Sequence, residues 1–276
     1  MTTTAPRGTG AAPSGRGSGG PDRGRAAIAA RTLRTDRWWL QPLLTALVLL
    51  AFVAYSSFRA FQNDHYFAEP YISPFYSPCL TTDCAGDTFP ELFTGPSWIS
   101  PALYILVFPL GIRLTCYYYR KAYYRSFWLS PPACAVAEPH RRYTGETRLP
   151  LLGQNVHRYF LYAALVINVI LLYDAVLAFR DETGEWGHMG LGTVILLVNA
   201  VLLALYSLSC HSCRHIVGGR LNSFSRHPVR YRFWTLASRL NARHMQYAWA
   251  SLASVALADL YVFLLATGTI TDLRFF

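Results

Sequence analysis

The chain is 276 residues long, 53% hydrophobic and only 14% charged, with a mean hydropathy of +0.21 and a formal net charge of +10. Its apolar residues fall in long uninterrupted runs and its basic residues in blocks between them. That pattern excludes an ordinary soluble domain and the aromatic-interleaved basic stripe of a nucleic-acid binder, and describes an integral membrane protein with basic loops.

Residues 1–25 are rich in Gly, Pro, Ser, Thr and Arg and cannot bury a core, so residues 1–37 are expected to form a disordered basic tail. The first apolar run begins near Trp38 and carries no small-residue cleavage pattern behind it, so it reads as an uncleaved span rather than a secretory signal. Five runs come near the roughly 20 residues that a bilayer core requires: 38–61, 98–119, 159–179, 190–213 and 245–268. Their interiors are dense in Leu, Val, Ala and Ile, and Trp38, Trp39, Trp98 and Trp249 lie near their ends, as interfacial aromatics do. A barrel strand would alternate over about ten residues. Residues 38–276 are therefore expected to be an all-α domain of five transmembrane helices, four of them forming a bundle.

Of the 25 basic residues, 22 lie in the N-terminal segment and in 113–158 and 214–243; Arg59, Arg180 and Arg274 are the exceptions. The positive-inside rule then puts the N-terminus in the cytoplasm and Phe276 outside. Cys79 and Cys84 fall in the first outer loop, where oxidising conditions would permit a small disulfide; two free thiols are the alternative.

Two other cysteines suggest chemistry. Cys116-x-x-x-Arg120 closes the second span and Cys210-x-x-x-Arg214 the fourth, so each thiol should sit one helical turn inside an interfacial arginine. His157 beside Arg158 opens the third span and His244 beside Arg243 opens the fifth, at the same depth. Two thiolates and two imidazoles suit a tetrahedral zinc or a Rieske-type [2Fe–2S] cluster, whereas the two histidines alone could clamp a b-type haem. The haem reading would leave Cys116 and Cys210 unexplained and ranks second. On a continuous helix Cys213 shares a face with Cys210 and competes as a ligand, while His211 and His215 read as interfacial.

These residues resemble a family: the membrane anchor subunit of actinobacterial, mycobacterial-type succinate dehydrogenase, respiratory complex II. The likeness is carried by 113–128 (RLTCYYYRKAYYRSFW), 130–136 (SPPACAV), 143–148 (YTGETR), 209–219 (SCHSCRHIVGG), 242–249 (ARHMQYAW) and the PYISPFYSPC segment around Phe75. It implies a Rieske-type [2Fe–2S] cluster on Cys116, His157, Cys210 and His244. It further implies partner flavoprotein and iron–sulfur subunits that oxidise succinate, and a quinone, expected to be menaquinone, that this subunit reduces in the tricarboxylic acid cycle and respiratory chain. The chain carries no nucleotide-binding fingerprint of its own. Outer-side histidines for a second haem are limited to His65 and His188, both expected in loops.

Residues 117–124 and the stiff Pro131-Pro132 segment would meet the iron–sulfur subunit or anchor in headgroups. Intramembrane acids are costly unless used, which nominates Asp259 and Asp174 as proton-handling groups, with Tyr261 close by; pairing of the acids with Arg180 is the bland alternative. A quinone site at the inner end, at Tyr119, Arg120 or Trp128, competes with that location. From other classes, a proton or ion transporter lacks a visible inverted repeat, and a zinc-stapled scaffold would carry no electrons.

Overall fold

The computed structural model describes residues 34–80, 99–136, 138–140, 150–181, 183–219 and 221–276, with the side chains of 150–154 left aside. Most of the expected tail, Trp98 and Cys84 thus lie outside the described residues. Among the described residues the fold is all-α apart from one small hairpin. Spans are formed by α1 (Leu40–Gln62), by the broken run α2 (Pro101–Ile105), α3 (Val107–Thr115) and α4 (Tyr117–Ser126), by α5 (Pro150–Leu177), by α6 (Leu191–Leu208) and by α9 (His244–Ala266). Short helices α7 (His211–Gly218) and α8 (Pro228–Asn241) connect α6 to α9. Chain direction places the start of α1 with α4, α7 and α8 at one end, here the N-face. The hairpin β1 (Phe67–Ala68) and β2 (Tyr71–Ile72), the 181–190 turn and the C-terminus share the other, the C-face.

Leu43, Leu47, Val53 and Phe58 on α1 and Val166 and Val169 on α5 stay exposed, as lipid-facing side chains do, while the tightest packing runs along α6 against α5 and α9. Gly111 lets α3 approach α5 closely, since a Cβ there would lie 2.1 Å from the Phe160 ring.

The expected 98–119 span is corrected at two places. Pro109 has no N–H and crowds the carbonyl four residues back, at Ile105, so the helix is interrupted at Leu106. At Cys116 the backbone is extended (φ −63°, ψ 127°), and α4 leaves at 73° to the preceding run. The expected 190–213 span likewise ends at Leu208, because Cys210 is extended (φ −63°, ψ 144°). The remaining three differ from expectation by a few residues at their ends, except that α5 starts nine residues early, at Pro150.

Near the C-face, Arg59 of α1 and Asp259 of α9 are both fully buried and pair at 2.9 Å. Tyr55 donates to the same carboxylate at 2.5 Å and Ser73 donates to it as well, while Arg59 also reaches Gln62 and the carbonyl of His65. Asp272 fastens the C-terminal strap: it accepts from Tyr71 at 2.6 Å, Tyr261 at 2.5 Å and the Gly192 amide at 3.1 Å. Burial first, then the Asp272 carboxylate, push the Tyr71 phenol up to about 12. Cys79 is disulfide-bonded.

Removing one partner of a buried pair strands a charge in hydrocarbon surroundings. Arg59→Ala is expected to destabilise the solubilised protein by about 3–5 kcal/mol, and the double variant Arg59→Met/Asp259→Leu to recover most of that loss in a thermal unfolding assay. Wild-type stability of Arg59→Ala would contradict the pairing.

Candidate metal centre

The two breaks in the helices build the site. Leu114-Thr115-Cys116 ends α3 and Leu208-Ser209-Cys210 ends α6, so each span closes on a hydroxyl residue followed by an extended cysteine that opens the next short helix. Both thiols and both histidines at the starts of α5 and α9 are buried. His157 Nε2 lies 2.9 Å from Cys210 Sγ, and His244 Nε2 lies 3.4 Å from Cys116 Sγ. The four residues expected from the sequence to share one depth are brought together as two imidazole–thiol pairs.

The hydroxyl before each cysteine fixes an imidazole tautomer. Thr115 Oγ1 donates to the Gly111 carbonyl at 2.7 Å, so toward His157 Nδ1, 2.8 Å away, it can only accept. Ser209 Oγ donates to the Tyr206 carbonyl at 3.0 Å and likewise accepts from His244 Nδ1 at 2.7 Å. Each histidine therefore carries its proton on Nδ1 and turns an Nε2 lone pair toward a cysteine, the orientation that metal-ligating histidines use. The arrangement is crossed: Thr115 orients the histidine that meets Cys210, and Ser209 the one that meets Cys116. Sequence reading did not name these hydroxyls, although the repeated Leu-Thr/Ser-Cys tripeptide was a visible signal for them.

Around the pairs, Tyr206 stacks on His244 with ring centroids 5.1 Å apart. The hydroxyl of Tyr206 lies near the Cys116 thiol. Arg113, counted above among the cytoplasmic basic residues, is buried inside α3. It donates to Tyr119 Oη at 2.6 Å and Ser251 Oγ at 3.1 Å and lies 4.8 Å from the Tyr206 ring centroid, with no carboxylate in an ion pair with it among the described residues.

The donor set fits a metal centre in type and number, with a hydroxyl holding each imidazole by its Nδ1. Among the described residues, no three His, Cys, Asp or Glu side chains are grouped as ligands of a single ion. A Rieske-type cluster puts both cysteines on one iron and both histidines on the other, whereas here each thiol faces an imidazole. The two Nε2 atoms address thiols rather than each other, which gives the bis-histidine haem reading no support. Cys213 is half-buried and is not bonded to either histidine; the break at Cys210 removes the shared helix face on which its candidacy rested. Burial and the nearby Arg214 lower the pKa of His211, and His215 meets Arg158 at 3.3 Å.

The other candidates are dispersed. Tyr119 is buried and donates to the Ala248 carbonyl at 2.7 Å, Arg120 is buried over the Tyr117 ring, and Trp128 is half-exposed beside Tyr124 at the N-face. Tyr261 is at the opposite end, bound to Asp272. Asp259 is closed in by Arg59, Tyr55 and Ser73, an environment that suits a structural ion pair better than a relay facing an open pocket. Asp174 accepts from Ser77, not Arg180, whose guanidinium lies 4.4 Å from the Trp186 ring centroid.

A family model described as actinobacterial succinate dehydrogenase subunit SdhC matches residues 40–268. Among solved structures, a chain of the Mycobacterium smegmatis Sdh1 complex in the apo form is 55% identical, with a TM-score of 0.82, covering 92% of this chain and 97% of that one. No curated protein matches.

The burial of the pairs sets thiol access. In the folded protein a maleimide is expected to modify the exposed Cys134 while Cys116 and Cys210 react only after denaturation, as read by peptide mass spectrometry. Modification of Cys210 in the folded state would contradict the site.

Proposed function

Because the chain belongs to the family of actinobacterial succinate dehydrogenase subunit SdhC, we propose that this multi-pass membrane subunit anchors the succinate-oxidising subunits of complex II and conducts their electrons to a quinone. Cys116, Cys210, His157 and His244 would hold a [2Fe–2S] cluster. Such a cluster, when bound, supplies a one-electron station inside the membrane.

The observation that carries the reading is the crossed pair of hydroxyl-oriented histidines. An imidazole that merely fills a helix entry has no need of a fixed Nδ1–H tautomer, whereas a ligand does. Thr115 and Ser209 hold the two rings in place, and Tyr206 stacks on His244. Buried Arg113 contributes positive charge beside Tyr206 and His244, a field that favours the accumulation of an added electron.

Partner flavoprotein and iron–sulfur subunits fit the N-face, where α4 and α8 present Tyr117, Tyr231, Arg232 and Phe233. With that face in the cytoplasm the C-terminus lies outside, as the basic blocks require, and menaquinone is the expected acceptor.

Replacing both His157 and His244 with Ala is expected to abolish quinone reduction by the purified complex while succinate oxidation by an artificial dye, which takes electrons upstream, continues. Retained quinone reduction would overturn the ligand assignment, and a b-type haem spectrum of the wild-type complex would overturn the cluster. The single variants Thr115→Val and Ser209→Ala, which free one imidazole each, are expected to lower metal retention about 10- to 100-fold, measured as iron per complex.

A further inference from the structure

Helix α8 is held against the N-face along one side. Asn241 donates to the Ser209 carbonyl at 2.8 Å, which pins the last turn of α8 to the end of α6, and α9 enters the bundle three residues later, at His244. Arg214 donates to Ser238 at 2.9 Å, and Trp234 packs on Gly218, where a Cβ would lie 2.2 Å from the indole. Ala237 is buried. At 3.6 residues per turn, Trp234, Ala237, Ser238 and Asn241 share that inward side.

A second side of α8 is apolar and open. Val229, Phe233, Leu236 and Leu240, spaced by four, three and four residues, form one stripe. The first three are more than half exposed. Arg232 and Arg239, seven residues apart and both exposed, line one edge of the stripe. At the start of α8 the stripe runs into an open groove of about 530 Å³, lined by Val217, Arg226, His227, Val229, Arg230 and Phe233. Arg230 donates to the carbonyls of Ile216, Val217 and Gly219, neutral acceptors that leave its charge uncompensated.

Charge and position identify what covers the stripe. Residues 209–243 carry seven arginines, and 186–258 contain no Asp or Glu. Among the described residues, no carboxylate forms an ion pair with Arg226, Arg230, Arg232 or Arg239. An apolar stripe edged by arginines, on a helix pinned where α6 leaves the bilayer and α9 enters it, matches the boundary between headgroups and acyl chains. Its uncompensated positive charge matches an anionic leaflet.

We infer that α8 lies in the membrane interface at the N-face and forms a binding site for acidic phospholipids. Lipid phosphates meet Arg226 in the groove and Arg239 along the edge, and the acyl chains run beneath Val229, Phe233 and Leu236. The partner subunits proposed on this face then meet α8 at Tyr231 and Arg232, with Phe233 turned to lipid. The site does not depend on what Cys116, Cys210, His157 and His244 hold.

The test uses the whole purified complex, delipidated in detergent and offered phosphatidylglycerol or phosphatidylcholine, each carrying a photoreactive diazirine on an acyl chain. Phosphatidylglycerol is expected to label 226–240 and phosphatidylcholine to label it far less. Arg226→Gln and Arg239→Gln change exposed side chains and leave the inward side intact. Each is expected to lower phosphatidylglycerol retention, counted per complex by native mass spectrometry, about fivefold, and the difference from wild type should shrink as salt is raised. Val229→Glu puts an acid in the stripe and is expected to abolish labelling of 226–240, with succinate oxidation by a dye reporting that the complex stays assembled. Equal labelling by the two lipids, unchanged retention in both arginine variants, or displacement of the lipid by inorganic phosphate at constant ionic strength would overturn the site. Wild-type complex in which 226–240 takes no lipid label, and from which Val229→Glu releases the partner subunits, would overturn it in favour of a protein contact.

Discussion

Inside hydrocarbon a polar group has no water to fall back on, so each must be satisfied by the protein or by something that the protein binds. The C-face half of the bundle meets that constraint internally: Arg59 takes Asp259, with Tyr55 and Ser73 on the remaining lone pairs, and Asp272 gathers two tyrosines and an amide. The N-face half meets it incompletely. There the two thiols meet only two oriented Nε2 lone pairs, and the Arg113 guanidinium lies against the Tyr206 ring with no carboxylate in an ion pair with it among the described residues. Chemistry belongs where the bundle gathers donor atoms with lone pairs to offer, and a metal centre is a ligand that such atoms would hold.

The breaks at Cys116 and Cys210 make this possible. A cysteine inside a continuous helix projects at an angle set by its neighbours; at an extended residue between two helices it is released from that register. The chain then runs on along the N-face as α4 and as α7, so the same break that aims a thiol inward also lays out the surface on which partner subunits would dock. The pseudo-repeat of hydroxyl, cysteine and, four residues on, arginine in the two halves gives the centre its approximate two-fold character.

Long apolar runs made the five spans legible, because mean composition over some twenty residues outweighs local irregularity. The common depth of Cys116, Cys210, His157 and His244 was legible from the arginines flanking them. What sequence could not give was rotation and breakage. Assuming unbroken helices kept Cys213 in contention and left Arg113 among the loop cations, although Pro109 and the extended cysteines interrupt two of the spans. Asp259 reads from the sequence as an expensive acid, but its partner, Arg59, lies 200 residues away, inside the expected first span; only the packing of α1 on α9 joins them. Tyr206 carried no local signal at all, being one more tyrosine in an apolar run.

The central claim is that the two histidines and two cysteines share one iron–sulfur centre. Pulsed EPR of the reduced complex tests it most directly, because cysteine-ligated clusters of a partner subunit lack directly bound histidine nitrogen. The account predicts a signal with hyperfine couplings from two histidine nitrogens, one lost on replacement of His157 and the other on replacement of His244. A reduced complex whose iron–sulfur signals show no histidine nitrogen coupling would contradict it.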